Sequence, residues 1–150
     1  MRLYDQGGLF VEFPPRDDQH HHSQGEGQGE YKRFWLKTGI EFYNDIPNLS
    51  TVSAQAWADW SLLPLPASET KITIQLEREE INATKRTGSS LWVYKVDKSP
   101  DGKEIKTALR EVTWAFEKEG PINVGVYAAR PTSGDGGNEL VVNFEDFLLE

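Results

Sequence analysis

Three observations in the sequence predict an all-β fold, an antiparallel β-sandwich. The apolar residues come in short runs rich in β-branched and aromatic side chains, and Gly, Pro, Asn and Asp separate those runs. Several runs also alternate apolar with polar residues at a period of two. Helices need longer stretches at a period near 3.6, and little of the chain offers one. Many short strands of this kind bury their apolar faces by packing as two antiparallel sheets.

The elements follow in chain order. Leu9 to Phe13 is the first predicted strand. Pro14 to Glu30 is polar, with Gly and Gln interleaved and no apolar period, and is expected to be a long, mobile surface loop. Phe34 to Tyr43 is the clearest strand: Phe34, Leu36, Thr38, Ile40 and Phe42 share one side, which is assigned to the core. Leu49 to Trp57 is the next, with Ser53, Gln55 and Trp57 opposite Val52, Ala54 and Ala56. Ile72, Ile74 and Leu76 alternate with Thr73, Gln75 and Glu77 as a half-buried strand, and Leu91 to Val96 follows. Ser99-Pro100-Asp101-Gly102 carries turn chemistry. The next segment has two readings: Ala108, Leu109, Val112 and Phe116 suit a helix, whereas Val112, Trp114 and Phe116 suit a strand. The strand is chosen because its neighbours are strands. Ile122, Val124, Val126 and Ala128 alternate with Asn123, Gly125, Tyr127 and Ala129, Pro131 to Asn138 reads as a flexible loop, and Leu140 to Leu148 as the last strand. Trp92 and Trp114 are assigned to the packed interior, where large aromatics dominate.

Length and charge bound the function. The 150 residues suit one domain, 1–150, with neither loop acting as a linker. A formal charge of -8 argues against nucleic acid and anionic membranes, both of which call for clustered Lys and Arg. The chain has no cysteine, favouring a reducing compartment, and shows neither a leader-like opening nor an apolar stretch long enough to span a bilayer, so a cytoplasmic location is expected. The triplets Asn48-Leu49-Ser50 and Asn82-Ala83-Thr84 are read as chance sequons.

The second side of the Phe34 to Tyr43 strand carries Trp35, Lys37, Gly39, Glu41 and Tyr43, with Tyr31 and Arg33 ahead of it. Rings for an apolar sugar face and polar groups for hydroxyls are what a carbohydrate-binding sheet needs. An ordinary solvated sheet stabilised by aromatic and Lys–Glu pairs has the same composition, so both readings stand. The candidate ligand-binding set is Trp35, Lys37, Glu41, Tyr43, Gln55, Trp57 and Tyr127, with Trp57 expected to join Trp35 on the polar face.

Motifs spread along the chain resemble a known family. Tyr4-Asp5-Gln6-Gly7-Gly8-Leu9, Trp35-Leu36-Lys37-Thr38-Gly39-Ile40-Glu41, Leu49-Ser50 and Ala58-Asp59-Trp60-Ser61 occur in order. Val124-Gly125-Val126-Tyr127-Ala128-Ala129, Pro131, Gly134 and Val142-Asn143-Phe144-Glu145-Asp146-Phe147 complete the series. Together they resemble the "regulation of enolase" protein family. The resemblance implies a concanavalin A-like jelly roll, the fold of legume lectins and several glucanases, and it implies enolase as a partner. Two departures stand out. The family has further strands before the Tyr-Asp-Gln motif, which here begins at Tyr4, so missing strands would leave exposed edges suited to homo-oligomers. The loop with His20, His21 and His22 reads as an insertion.

Catalytic chemistry finds less support. The three histidines, with Asp17 and Asp18, could ligate a metal, but a Gly- and Gln-rich loop lacks the supporting contacts of a built site, so neither metal nor other cofactor is expected. Glu77 and Glu79 lie in phase on one strand face and could serve as paired glycosidase carboxylates, yet Glu77-Arg78-Glu79-Glu80 reads as a charged strand end. Glu117 and Glu119 meet the same objection. No nucleophile elbow or phosphate-cradling glycine motif occurs, and Gly134-Asp135-Gly136-Gly137-Asn138 has too few oxygens for calcium. The sequence therefore favours a non-catalytic protein binding a carbohydrate-like ligand or a metabolic enzyme. The alternatives are a glycoside hydrolase and a purely structural interaction module.

Overall fold

The first two motifs of the chain lie side by side. In the computed structural model, which describes residues 1–14, 34–81, 86–132 and 139–150, β1 (Gln6–Phe13) runs antiparallel to β2 (Phe34–Tyr43), with Gly8 opposite Gly39 and Val11 opposite Leu36. Asn44 and Asp45, at φ of 52° and 61°, turn the chain directly into β3 (Ile46–Ala54). Positive φ at both central residues is the two-residue turn whose twist suits a hairpin. β3 begins three residues before the predicted Leu49. Pro47 is tolerated at its second position, where its carbonyl accepts from Leu65 N at 3.0 Å and no amide is required of it. β4 (Ala58–Pro64) pairs with β3, and its Pro64 ends an edge strand that the sequence reading left unassigned.

β5 (Thr73–Ile81), β6 (Arg86–Lys98) and β7 (Glu104–Val112) form a second, three-stranded meander. The predicted turn between β6 and β7 is present: Gly102, at φ 82°, donates its amide to the Ser99 carbonyl at 2.9 Å. β8 (Asn123–Ala129) returns to the first sheet beside β1, giving the order β4-β3-β2-β1-β8. The two antiparallel sheets make a β-sandwich.

The core between them is built from alternate residues: Val11, Phe13, Phe34 and Leu36 from the larger sheet meet Leu91, Val93 and Val112 from the smaller, with Ala115 beside them. Trp114 packs edge-on to Phe13 with ring centroids 5.2 Å apart. Thr38, also on this side, is buried and hydrogen-bonds Thr51 through their hydroxyls at 2.9 Å. Ile40 and Phe42 are half-buried. Near that end Val142 of the C-terminal segment packs on Gly7, where a Cβ would come within 2.7 Å of a Val142 methyl.

Three expectations are corrected. Residues 140–148 form no strand: Asp146, at φ 53°, breaks the extended run, and the segment is held by contacts such as Val142 on Gly7 and Glu145 with Lys71. The strand expected through Phe116 stops at Val112, and the chain turns so that Phe116 N donates to the Ser89 carbonyl at 2.9 Å. Trp92 shares the outer face of β6 with Tyr94, against which it stacks at 6.1 Å, because Leu91 and Val93 occupy the inner side. The histidine loop, the Asn82 sequon and residues 133–138 lie outside the described residues.

Candidate functional site

The outer face of the five-stranded sheet is fixed by register. Tyr127, Gly8, Gly39, Ser50 and Leu62 form one row across β8, β1, β2, β3 and β4. The row to one side holds Phe10, Lys37, Val52 and Trp60, and the row to the other holds Gln6, Glu41 and Asn48. Two glycines at the centre leave a strip of bare backbone. A Cβ on Gly8 would collide with the Thr38 carbonyl oxygen, and one on Gly39 with that of Gly7, so β1 and β2 approach too closely for any side chain.

Long side chains reach over this strip. Lys37 Nζ donates to Gln6 Oε1 at 2.5 Å and lies 5.8 Å from the centre of the Tyr127 ring. Trp60 Nε1 sits 3.2 Å from Glu41 Oε2 and 3.2 Å from Ser50 Oγ, and Ser50 Oγ donates to the same carboxylate oxygen at 2.5 Å. Glu41 is only 4% exposed although it points away from the core. Its two donors compensate the burial, since an unpaired carboxylate there would be costly. Burial pushes the Tyr127 phenol above its ordinary range, and the nearby Glu41 carboxylate adds to the shift.

Aromatic rings bound the strip at both ends. Tyr43 stacks on Tyr4 at 5.9 Å and meets Trp60 edge-on at 5.6 Å, while Phe10 stacks on Trp35 at 6.0 Å. The arrangement therefore gathers rings, an ammonium, an amide and a carboxylate over the two glycines, with Gln6, Gly39 and Glu41 themselves buried beneath the longer side chains. It can accept hydrogen bonds, donate them and stack an apolar surface, which is the chemistry of a polyhydroxylated ligand.

Of the sequence-predicted residues, Trp35, Lys37, Glu41, Tyr43 and Tyr127 share this face. Gln55 and Trp57 do not. Trp35 pairs with Ala54, which puts Ser53 on the inner side, and β3 ends before the alternation could carry Gln55 and Trp57 onward. Both belong to the β3–β4 turn and face β7. The sequence reading missed Gln6, Ser50 and Trp60 as parts of the face. Each lay within a motif already singled out, but only the strand register brings them beside Glu41.

The paired-carboxylate candidates lie on the other sheet. Glu77 is ion-paired with Lys106 and accepts from Gln75 Nε2 at 2.8 Å, and Glu79 packs over Gly88. Glu119 pairs with Arg78 at 3.2 Å. Among the described residues no helix is long and apolar enough to cross a membrane.

Comparison with known proteins gives two findings. A family model described as "Protein of unknown function (DUF1349)" matches residues 1–150. The uncharacterized protein AN7484 of Emericella nidulans is 42% identical over 152 residues, covering 98% of this chain and 61% of that protein. The chain thus spans about three fifths of the length of the curated relative it matches.

Proposed function

On the premise that this chain belongs to the DUF1349 family of proteins of unknown function, we propose that it is a non-catalytic binding protein whose outer sheet face holds a carbohydrate-like ligand. The observation that carries the reading is Glu41: a nearly buried carboxylate on the side of the sheet away from the core, beside a strip of side-chain-free backbone and beneath Trp60. A residue kept only for solubility would extend into water. Lys37, Gln6 and the Tyr127 ring complete a set that can read hydroxyls, and Tyr43, Trp60 and Trp35 supply stacking surfaces.

The finer reading draws on the resemblance to the regulation-of-enolase family: the same face would recognise enolase, in the cytoplasm. Both readings meet one test. Trp60→Ala, Glu41→Gln and the double variant Trp35→Ala/Lys37→Ala are compared with the parent on a glycan array and in enolase pull-down, with circular dichroism to verify folding. Affinity for the bound glycan, or for enolase, should fall at least about tenfold in each folded variant, as for a central contact. Unchanged binding by folded Trp60→Ala would remove this face from the function.

A further inference from the structure

A second site opens on the opposite side of β3. The β3–β4 turn faces the end of β7 across a cleft of about 400 Å³, a size typical of small-molecule sites. Three of its lining groups have unspent binding capacity. Ser53 is 6% exposed, and among the described residues its hydroxyl has no hydrogen-bond partner. The Gln55 amide likewise has no partner there. Trp57, 86% exposed, presents a bare indole. Such a ring offers a broad apolar face on which the flat side of a ligand can stack.

The charges in the cleft are already engaged. Arg110 is ion-paired with Asp59 and lies 3.3 Å from Ser61 Oγ, and Glu111 accepts from Ser90 Oγ at 2.8 Å. Asp59, Arg110 and Glu111 leave the lining one negative charge in excess, which disfavours anions. What remains free is neutral: a hydroxyl, an amide and a π-face.

We infer that this cleft between the sheets binds a neutral polyhydroxylated ring, such as one sugar unit, stacked on Trp57 and hydrogen-bonded by Ser53 and Gln55. The site is separate from the outer face and does not depend on ligand binding there.

The five tryptophans make the test direct, because they lie in different places. Trp57 and Trp114 line the cleft, Trp35 and Trp60 belong to the outer face, and Trp92 lies on the outside of the second sheet. Uniformly 15N-labelled protein is titrated with glucose, xylose, galactose, cellobiose and maltose while the indole N–H signals are followed. Saturable shifts at Trp57 and Trp114 are expected with at least one sugar. Trp57→Ala should abolish the Trp114 response, and Ser53→Ala should weaken binding about tenfold, with both proteins folded. Trp60→Ala should leave the cleft response intact. Shifts confined to Trp35 and Trp60, or no response at Trp57 to any of these sugars, would overturn the inference. So would saturation of the Trp57 signal by tetramethylammonium or inorganic phosphate alone.

Discussion

Asp5 stands immediately ahead of β1 and Arg130 immediately after β8, and their side chains meet as a two-toothed fork, Nε to Oδ1 at 2.6 Å and Nη2 to Oδ2 at 2.8 Å. Arg2 N adds a third donor at 2.8 Å. The guanidinium, outweighing the opposing effect of burial, holds the Asp5 carboxyl down from 3.8 to about 2. A carboxyl depressed in the folded state stabilises the fold fully above its unfolded pKa, near 3.8, and that stabilisation is lost as pH falls through about 2. The contribution is about 2 kcal/mol. Asp5→Asn should therefore lower stability by about that amount in neutral urea melts, and the gap from the parent should close as the pH falls through that window. Tyr127 offers a second readout. In an ultraviolet titration its ionisation should come at higher pH than that of a free phenol, and Glu41→Gln should lessen the displacement by removing its electrostatic part.

At the level of strands, the close approach of β1 and β2 makes a specific demand. Gly39→Ala forces a methyl against the Gly7 carbonyl and should cost roughly 1–3 kcal/mol, measured by thermal or urea unfolding. The β2–β3 turn invites the opposite change. Asp45 holds φ 61°, a conformation glycine adopts without strain, so Asp45→Gly should raise stability by about 0.5–1 kcal/mol. Strands with clean alternation were legible from sequence: Phe34 to Tyr43 was bounded to the residue, and the Ile72 and Ile122 runs were placed within a few residues of β5 and β8. The errors have separate physical sources. Proline at Pro47 and Pro64 masked strand ends that hydrogen-bonding position makes tolerable, and a left-handed residue at Asp146 undid a run that alternation alone could not reject. The candidate face was half legible: one strand's alternation named Trp35, Lys37, Glu41 and Tyr43. Gln6, Ser50 and Trp60 join them through inter-strand register, which a single sequence does not encode locally. Alternation does not place Trp57, because β3 ends at Ala54 and the turn that follows breaks the period of two.

Across the whole molecule, stability rests on a narrow apolar seam, since the five-stranded sheet faces only three strands. Leu36 is wholly buried at its centre, and Leu36→Ala should cost about 2–5 kcal/mol in denaturant melts. Trp57 is 86% exposed, so Trp57→Ala should change ligand binding with little change in unfolding midpoint, whereas Trp60→Ala also strips a donor from the buried Glu41 carboxylate and should lower the midpoint. The position of β8 has a consequence for how the protein is made. β2, β3 and β4 are a meander that can pair as they leave the ribosome, and β5, β6 and β7 are another. β1, by contrast, precedes the other described strands, and the edge that β8 covers waits until β8 emerges more than a hundred residues later. During that interval the nascent chain carries β1 without its β8 neighbour, and interrupted synthesis before Ala129 should release a species prone to capture by chaperones.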